Sequence, residues 1–341
     1  MTSFPAVVPL LKFGLISDTQ YVDADDGATF DGSTVRRYRH SLEILRKAVD
    51  YFKSEALSFC VLLGDAIDAK AGHLGIAGHC LDIVLDLTST TGCPWNIVLG
   101  NHDLKSISRP VLLEKFIPSV AKACCDSEKM YYDFIDEKSS NFRFIFLDGY
   151  DVSCISPSSE KYKSDAVSLL STKNKNLSPT PTGEFSDGDW FAGLAEEELK
   201  FVPYNGSIGE RQLAWFNATL KAAHDVGERC FVFCHEPCHK RSCRPSGLLW
   251  NSDEVLQIMH QYKSTVVAYI CGHDHNGGYV LDECGIHHIV PPAPLECEVG
   301  DVAFGCISLY EEHFELTWAG KVPDPAVYPV WPAGRKIPYS V

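Results

Sequence analysis

Ser58-Phe59-Cys60-Val61-Leu62-Leu63-Gly64-Asp65-Ala66-Ile67-Asp68 is the stretch that decides how this chain folds. Its first half is an apolar run of strand length, and Gly64-Asp65 ends it with turn chemistry. It reads as a buried strand that delivers a carboxylate at its exit. The same arrangement stands on either side. Lys12 to Ser17 runs into Asp18-Thr19-Gln20, and Trp95 to Leu99 runs into Gly100-Asn101-His102-Asp103. Between the first two strands, Val35 to Ser54 sets Leu42, Leu45, Val49 and Phe52 on one face at helical spacing. Between the second and third, His73 to Thr90 clusters Leu81, Val84, Leu85 and Thr88 in the same way. This order predicts a parallel sheet with right-handed crossovers. In such sheets a ligand site lies beyond the carboxyl ends of the strands, where all three polar motifs fall.

Farther along, Met130 to Ile135 and Asn141 to Leu147 read as paired strands. Residues 151–206 are rich in Ser, Lys, Asn and Pro, and predict a long irregular insert that could act as a lid over the site. Gly209 to Val226 returns to a helix with Leu213, Phe216 and Leu220 inside. Arg229 to Cys234 and Thr265 to Cys271 are strands again, each running into a histidine motif: Cys234-His235-Glu236-Pro237 and Gly272-His273-Asp274-His275. Short strands from Tyr279 to Thr317 suggest a second sheet, and the Pro-rich tail at 322–341 should wrap the surface. No repeat or domain boundary interrupts the pattern, so residues 1–341 read as a single α/β (α+β) domain.

Composition narrows the function. A net charge of −15 argues against nucleic-acid binding, which depends on neutralising phosphates with Lys and Arg. Attraction for a phosphorylated ligand must then be local, and bound metal cations are the obvious source. No stretch has the length of a transmembrane helix, and the opening apolar run lacks a basic leader, so no membrane partner is expected. Fourteen cysteines are scattered without a disulfide framework, and three Asn-x-Ser/Thr sequons (Asn176, Asn205, Asn217) carry little weight without a secretory route. The expectation is a cytoplasmic monomer with free thiols. Cys234, Cys238, His239 and Cys243 invite a structural-zinc reading, but no Cys-x-x-Cys pair supports it.

Any one of the five polar motifs could be a cap or a turn; five in order at strand exits look like the ligand set of two metals. Such a pair needs a bridging carboxylate, and oxygen or imidazole donors elsewhere. Asp65 is the candidate bridge. Asp18, Gln20 and His275 could complete one metal, and Asn101, His235 and His273 the other. His273 and His275 are two apart, so in extended backbone both point the same way.

These motifs resemble the calcineurin-like metallophosphoesterases, whose pattern is Asp-x-His, Gly-Asp-x-x-Asp, Gly-Asn-His-Asp/Glu, a lone His and Gly-His-x-His. The resemblance runs from Leu15 to Tyr279 and implies a four-layer αββα sandwich. Gln20 departs from it, standing where the commonest pattern has His. An amide oxygen is a harder and weaker donor than imidazole. That tilts a pair of divalent ions toward Mn²⁺ or Mg²⁺ and away from tight Zn²⁺, with Fe a further alternative. Asp18-Thr19-Gln20-Tyr21, Arg36 to Leu42, Trp250-Asn251, Gly272 to Tyr279 and Lys321-Val322-Pro323-Asp324 are similar to the manganese-dependent ADP-ribose/CDP-alcohol diphosphatases.

That resemblance implies Mn²⁺-dependent cleavage of ADP-ribose and of CDP-alcohols such as CDP-choline, by in-line attack of a hydroxide bridging the metals and with release of a nucleoside monophosphate. His102, directly after Asn101, is then the catalytic acid or charge stabiliser, with Asp103 orienting its ring. Asp68 should support the site from behind. Toward small-molecule nucleoside diphosphate conjugates, Phe30 could stack on a base or merely anchor its loop. Arg37, with Arg36 and Arg39, could meet a phosphate, although basic residues on a helix face are ordinarily just solvated. Asn205, ahead of a helix start, could bring backbone N–H groups to phosphate or serve as a cap. Asn276 and Tyr279 follow the ligand motif closely enough to line the pocket. A cyclic-nucleotide phosphodiesterase or general phosphoesterase on the same core is the alternative enzyme, and a protein-binding scaffold the non-enzyme one. Purple acid phosphatase is disfavoured, because Asp68 stands where its Tyr would be.

Overall fold

The computed structural model describes residues 8–29, 32–116, 130–136, 141–180, 183–185 and 188–339. Its centre is two six-stranded sheets. One runs in the order Lys336–Pro338, His313–Gly320, Ala303–Leu309, Leu11–Ile16, Phe59–Leu62, Trp95–Ile97. The other runs Gly278–Leu281, His287–Val290, Val266–Ile270, Arg229–Phe233, Phe142–Phe146, Tyr132–Ile135. Leu11–Ile16, Phe59–Leu62 and Trp95–Ile97 pair in parallel, as the alternation of strands and helices requires. Arg229–Phe233 is parallel to both of its neighbours, and Tyr132–Ile135 pairs antiparallel with Phe142–Phe146.

The sheets meet through phenylalanines. Phe13 lies edge-on to Phe144, Phe231 and Phe233, and Phe59 to Phe144 at 4.8 Å. Each fully buried ring contributes about 2–3 kcal/mol from area alone. The outer face of the first sheet is covered by Tyr38–Ser54, which buries Leu42, Ile44, Leu45, Ala48, Val49 and Phe52 and contacts Ala77–Ser89. Glu210–Val226 and Ser252–Gln261 pack together on the second sheet. The layers are therefore helix, sheet, sheet, helix. Because both sheets are covered on both faces, their central strands are apolar throughout rather than alternating.

Local departures from the sequence reading have plain causes. Val35–Arg36 is not the start of the helix but a short strand paired with Gly27–Ala28, and the helix begins at Tyr38. The helix expected from His73 to Thr90 begins only at Ala77; a separate short helix, Ala69–His73, precedes it, and Gly75 at φ +69° stands between the two. The insert is not irregular throughout: Glu160–Lys173 is a helix capped by Ser159, with only Ala166 and Leu170 buried. So small an apolar face gives little periodic signal. The tail contributes an edge strand, Lys336–Pro338, against His313–Glu315. No helix among the described residues is long and apolar enough to cross a membrane.

Candidate metal centre

Five strand exits converge where the sequence places its motifs, and the backbone there is bent hard to aim the side chains. Only five described residues other than glycine have positive φ: Asp18 at 42°, Gln20 at 41°, Asp65 at 53°, His273 at 68°, and Ser156. Four of these five are candidate ligands. Non-glycine residues adopt this region at a cost that surrounding structure must offset, and such strain gathers at functional sites. Neighbouring glycines allow the crowding. A Cβ on Gly100 would overlap the Asp65 carboxylate and its backbone nitrogen, and one on Gly272 would overlap Asp18 and Ser17.

The donors fall into two groups joined by Asp65. Asp18, Asp65 and His235 offer ligand atoms that all lie within 4.8 Å of one another. On one side, His275 Nε2 is 3.6 Å from Asp18 Oδ1, and the Gln20 amide is 2.9 Å from His275 Nε2 and 3.0 Å from Asp65 Oδ2. On the other, His273 Nδ1 is 3.2 Å from His235 Nε2, which is 3.5 Å from Asp65 Oδ2. Asn101 is buried at the start of the helix Asn101–Ser106, and its Oδ1 is 3.4 Å from the Tyr150 hydroxyl. The Gln20 Oε1 atom is buried with no hydrogen-bond partner. An amide turned about its last bond exchanges oxygen for nitrogen. Its oxygen can therefore stand between Asp65 and His275, a fit for a cation with oxygen and imidazole ligands.

Each imidazole is fixed by the nitrogen that faces away from the centre. His235 Nδ1 lies 2.7 Å from the Leu63 carbonyl, His275 Nδ1 2.7 Å from Glu296, and His273 Nε2 2.8 Å from Asn205 Oδ1. The inward nitrogen of all three is thereby left for a metal, the usual outer support of a metal-binding histidine. The electrostatics favour cations. Burial works against a charged ring at His235, yet Asp65 foremost holds it up at about 10. Burial likewise opposes charge at His275, and Glu296 and Asp18 hold it at about 9. Glu296 is drawn down to about 2, against its burial, by His275.

Around this core the structure reassigns several candidates. His102 Nδ1 is 3.1 Å from both Asp68 Oδ2 and the Ala69 backbone nitrogen, so Asp68 is the carboxylate beside the ring. Asp103 does not orient His102. It accepts from the Ile67 and Gly100 backbone N–H groups at 3.1 and 3.2 Å and ties the second and third motifs together. Asn205 offers no free cap, since its side chain is occupied by His273 and by the carbonyls of Lys200 and Ser246. Arg37 is drawn away to Glu298 at 2.6 Å and the Cys297 carbonyl. The Tyr279 hydroxyl is 2.9 Å from His287 Nδ1, and the residue is half-buried. Asn276 is exposed, its backbone N–H near Asp274, and Phe30 lies outside the described residues. Glu296 and Tyr150 carried no signal in the sequence, because neither sits in a motif; only folding brings them to the centre.

Residues 11–277 match the calcineurin-like phosphoesterase family model. The chain belongs to the calcineurin-like phosphoesterases. This phosphoesterase is 35% identical over 326 residues to the manganese-dependent ADP-ribose/CDP-alcohol diphosphatase of Oryza sativa subsp. japonica, covering 93% of each chain. It is 30% identical to the human protein of the same name, covering 92% of each. Among solved structures it superposes on a dimetal phosphatase from Danio rerio with a TM-score of 0.83 and 31% identity, covering 97% of this phosphoesterase and all of that chain.

Proposed function

We propose that this phosphoesterase is a Mn²⁺-dependent hydrolase of nucleoside diphosphate conjugates, ADP-ribose and CDP-alcohols, releasing a nucleoside monophosphate. The observation that carries the reading is the pair of donor groups sharing Asp65, together with full-length similarity to diphosphatases of that name. Asp18, Gln20, Asp65 and His275 would hold one ion, and Asp65, Asn101, His235 and His273 the other. When bound, two such ions supply an acidified water as nucleophile and clamp the phosphoryl oxygens.

The chain's own residues do the rest. Asp65 and Asp18 are the anions among the ligands, so two divalent ions leave an excess of positive charge for a diphosphate. His102 accepts the Ala69 N–H at Nδ1, with the Asp68 carboxylate alongside, which puts the neutral ring's proton on Nε2, the atom suited to protonate the leaving oxygen. Leu63, Glu296 and Asn205 keep the ligand imidazoles from turning. We take the chain as one domain in which residues 151–206 border the site, supported by Asn205 and by the Tyr204 ring 5.8 Å from that of His273. A cytosolic setting is supported by the twelve described cysteines, all of them free.

The deciding experiment is a Mn²⁺ assay on ADP-ribose, CDP-choline, cyclic nucleotides and a simple phosphomonoester. The first two should turn over fastest. Preference for a cyclic nucleotide would move the assignment to the alternative phosphodiesterase, and no turnover of any would end the enzyme reading.

A further inference from the structure

Two arginines near the centre already have close carboxylate partners, and a third lies between two carboxylates. Arg37 meets Glu298 at 2.6 Å, and Arg39 meets Asp23 and Asp25 at 2.7 and 2.9 Å. Arg36 lies between Asp68 and Glu296, the carboxylates behind His102 and His275. Arg244 is different. Its side chain is 48% exposed, and its one ion pair among the described residues is a loose one with Asp274, 4.0 Å from Nε, with Glu296 farther off.

The turn that carries Arg244 is nonetheless fixed, and fixed to the metal centre. The Arg244 backbone N–H donates to Asp274 Oδ2 at 2.6 Å, and Asp274 stands between His273 and His275 in the chain. Two residues on, the Ser246 carbonyl accepts from Asn205, the side chain that holds His273 Nε2. The turn closes on itself through Gly247 N–H to the Arg244 carbonyl at 3.0 Å. A Cβ built on Gly247 would lie 3.7 Å from His273 Cδ2 and 4.0 Å from Arg244 Nε, so the ring and the guanidinium border one small space. Asp274 and Asn205 thus anchor both the ligand and the arginine.

We propose that Arg244 binds the phosphoryl group adjacent to the one being cleaved, and so makes the site prefer diphosphates to substrates with a single phosphate. The proposal deepens the diphosphatase reading and rests on it. In a chain of net charge −15, a guanidinium held beside a metal ligand is a local exception that a phosphate would seek. The guanidinium fork matches two phosphate oxygens at once, which an ammonium cannot do. Binding through a turn anchored in advance also avoids the cost of ordering a loop.

The test is calorimetric binding of AMP and of α,β-methylene-ADP to the Mn²⁺-loaded protein, read as the ratio of the two affinities. Wild type should favour the diphosphate analogue, and Arg244→Ala should cut that preference about tenfold or more, the scale of a charge-assisted hydrogen bond. Arg244→Lys should restore part of it, and Arg46→Ala, at an exposed arginine paired with Glu43 on the helix, should leave the ratio alone. If Arg244→Ala does not fold, Arg244→Gln carries the same measurement. A wild type that binds both nucleotides equally, or an Arg244 variant that keeps the preference, overturns the proposal. Turnover of ADP-ribose and CDP-choline by wild type judges the diphosphatase reading separately, because it can fail while the affinity ratio still responds to Arg244.

Discussion

Asn205 Oδ1 accepts from His273 Nε2 at 2.8 Å, and this bond joins the end of the 151–206 insert to a candidate metal ligand. Both residues are buried, and the Asn205 amide is itself held by the carbonyls of Lys200 and Ser246. Removing the partner frees the ring to rotate and to move its proton to the inward nitrogen. Asn205→Ala should therefore weaken Mn²⁺ binding roughly 10–100-fold, the usual effect of losing such an outer support. A Mn²⁺ titration checks it; an unchanged titration would show that the bond is incidental.

A similar separation applies to the two carboxylates near His102. Asp68 lies beside the ring with one oxygen and caps the Lys70 N–H with the other, a cap that Asn can also make, whereas Asp103 accepts only from the Ile67 and Gly100 backbone N–H groups. Asp68→Asn should lower kcat roughly 10–100-fold with metal content retained, because only the charge behind the acid is lost. Asp103→Asn leaves two buried N–H groups with a weaker acceptor and should lower the melting temperature. Metal analysis and a melting curve on both variants distinguish the roles. Loss of metal from Asp68→Asn would place that residue among the supports of the ligands instead.

This contrast also marks what the sequence makes legible. The parallel strands, and the five motifs at their exits, are written locally: each is an apolar run followed by Gly, Asp, Asn or His. The side chains that Asp18, Asp65 and His273 bring together are therefore foreseeable one motif at a time. Glu296 is not, because it meets His275 from 21 residues away through a short turn with no motif of its own. Nor is the division of labour between Asp68 and Asp103. Both belong to motifs of the right chemistry, and only the bend at Asp65 and the place of Asp68 as N-cap of Ala69–His73 decide which one faces the ring. Asn205 was visible as a polar residue before a helix, but its partner lies 68 residues away.

Gln20 gives a prediction about metal choice. Its amide nitrogen sits between Asp65 and His275 at 3.0 and 2.9 Å, with Oε1 unpartnered, and a turn of the amide would exchange the two atoms. Imidazole is a stronger and softer donor, so Gln20→His should tighten binding at that position and shift preference from Mn²⁺ toward Zn²⁺. Competition between the two ions reads this directly. An unaltered Mn²⁺ dependence would mean that Gln20 is not a ligand.

Gly100 should tolerate no side chain. Even one Cβ would overlap Asp65, whose Oδ1 also accepts the His102 N–H at 2.8 Å. The strand exits on both sides are packed, so relief requires moving the candidate bridge itself. Gly100→Ala should abolish Mn²⁺ binding and destabilise the fold by about 1–3 kcal/mol, the range for overpacking a rigid site. A variant that unfolds at the wild-type temperature and retains two Mn²⁺ ions would refute this.

Stability should fall as the solution becomes mildly acidic, and His287 is one cause. Burial foremost holds its ring down at about 4, while an unfolded histidine titrates near 6.5. Below pH 6.5 the unfolded chain takes up a proton that the folded ring refuses. The contribution of the neutral ring is thus fully present above about pH 6.5, declines as pH falls, and levels off near pH 4. Across that window the loss is about 3 kcal/mol from this residue. Urea unfolding at a series of pH values measures it. His287→Gln keeps a polar group for the Tyr279 hydroxyl but cannot titrate, so its stability should decline less steeply between pH 6.5 and pH 4. If wild type and variant run parallel through that range, His287 is not the group responsible.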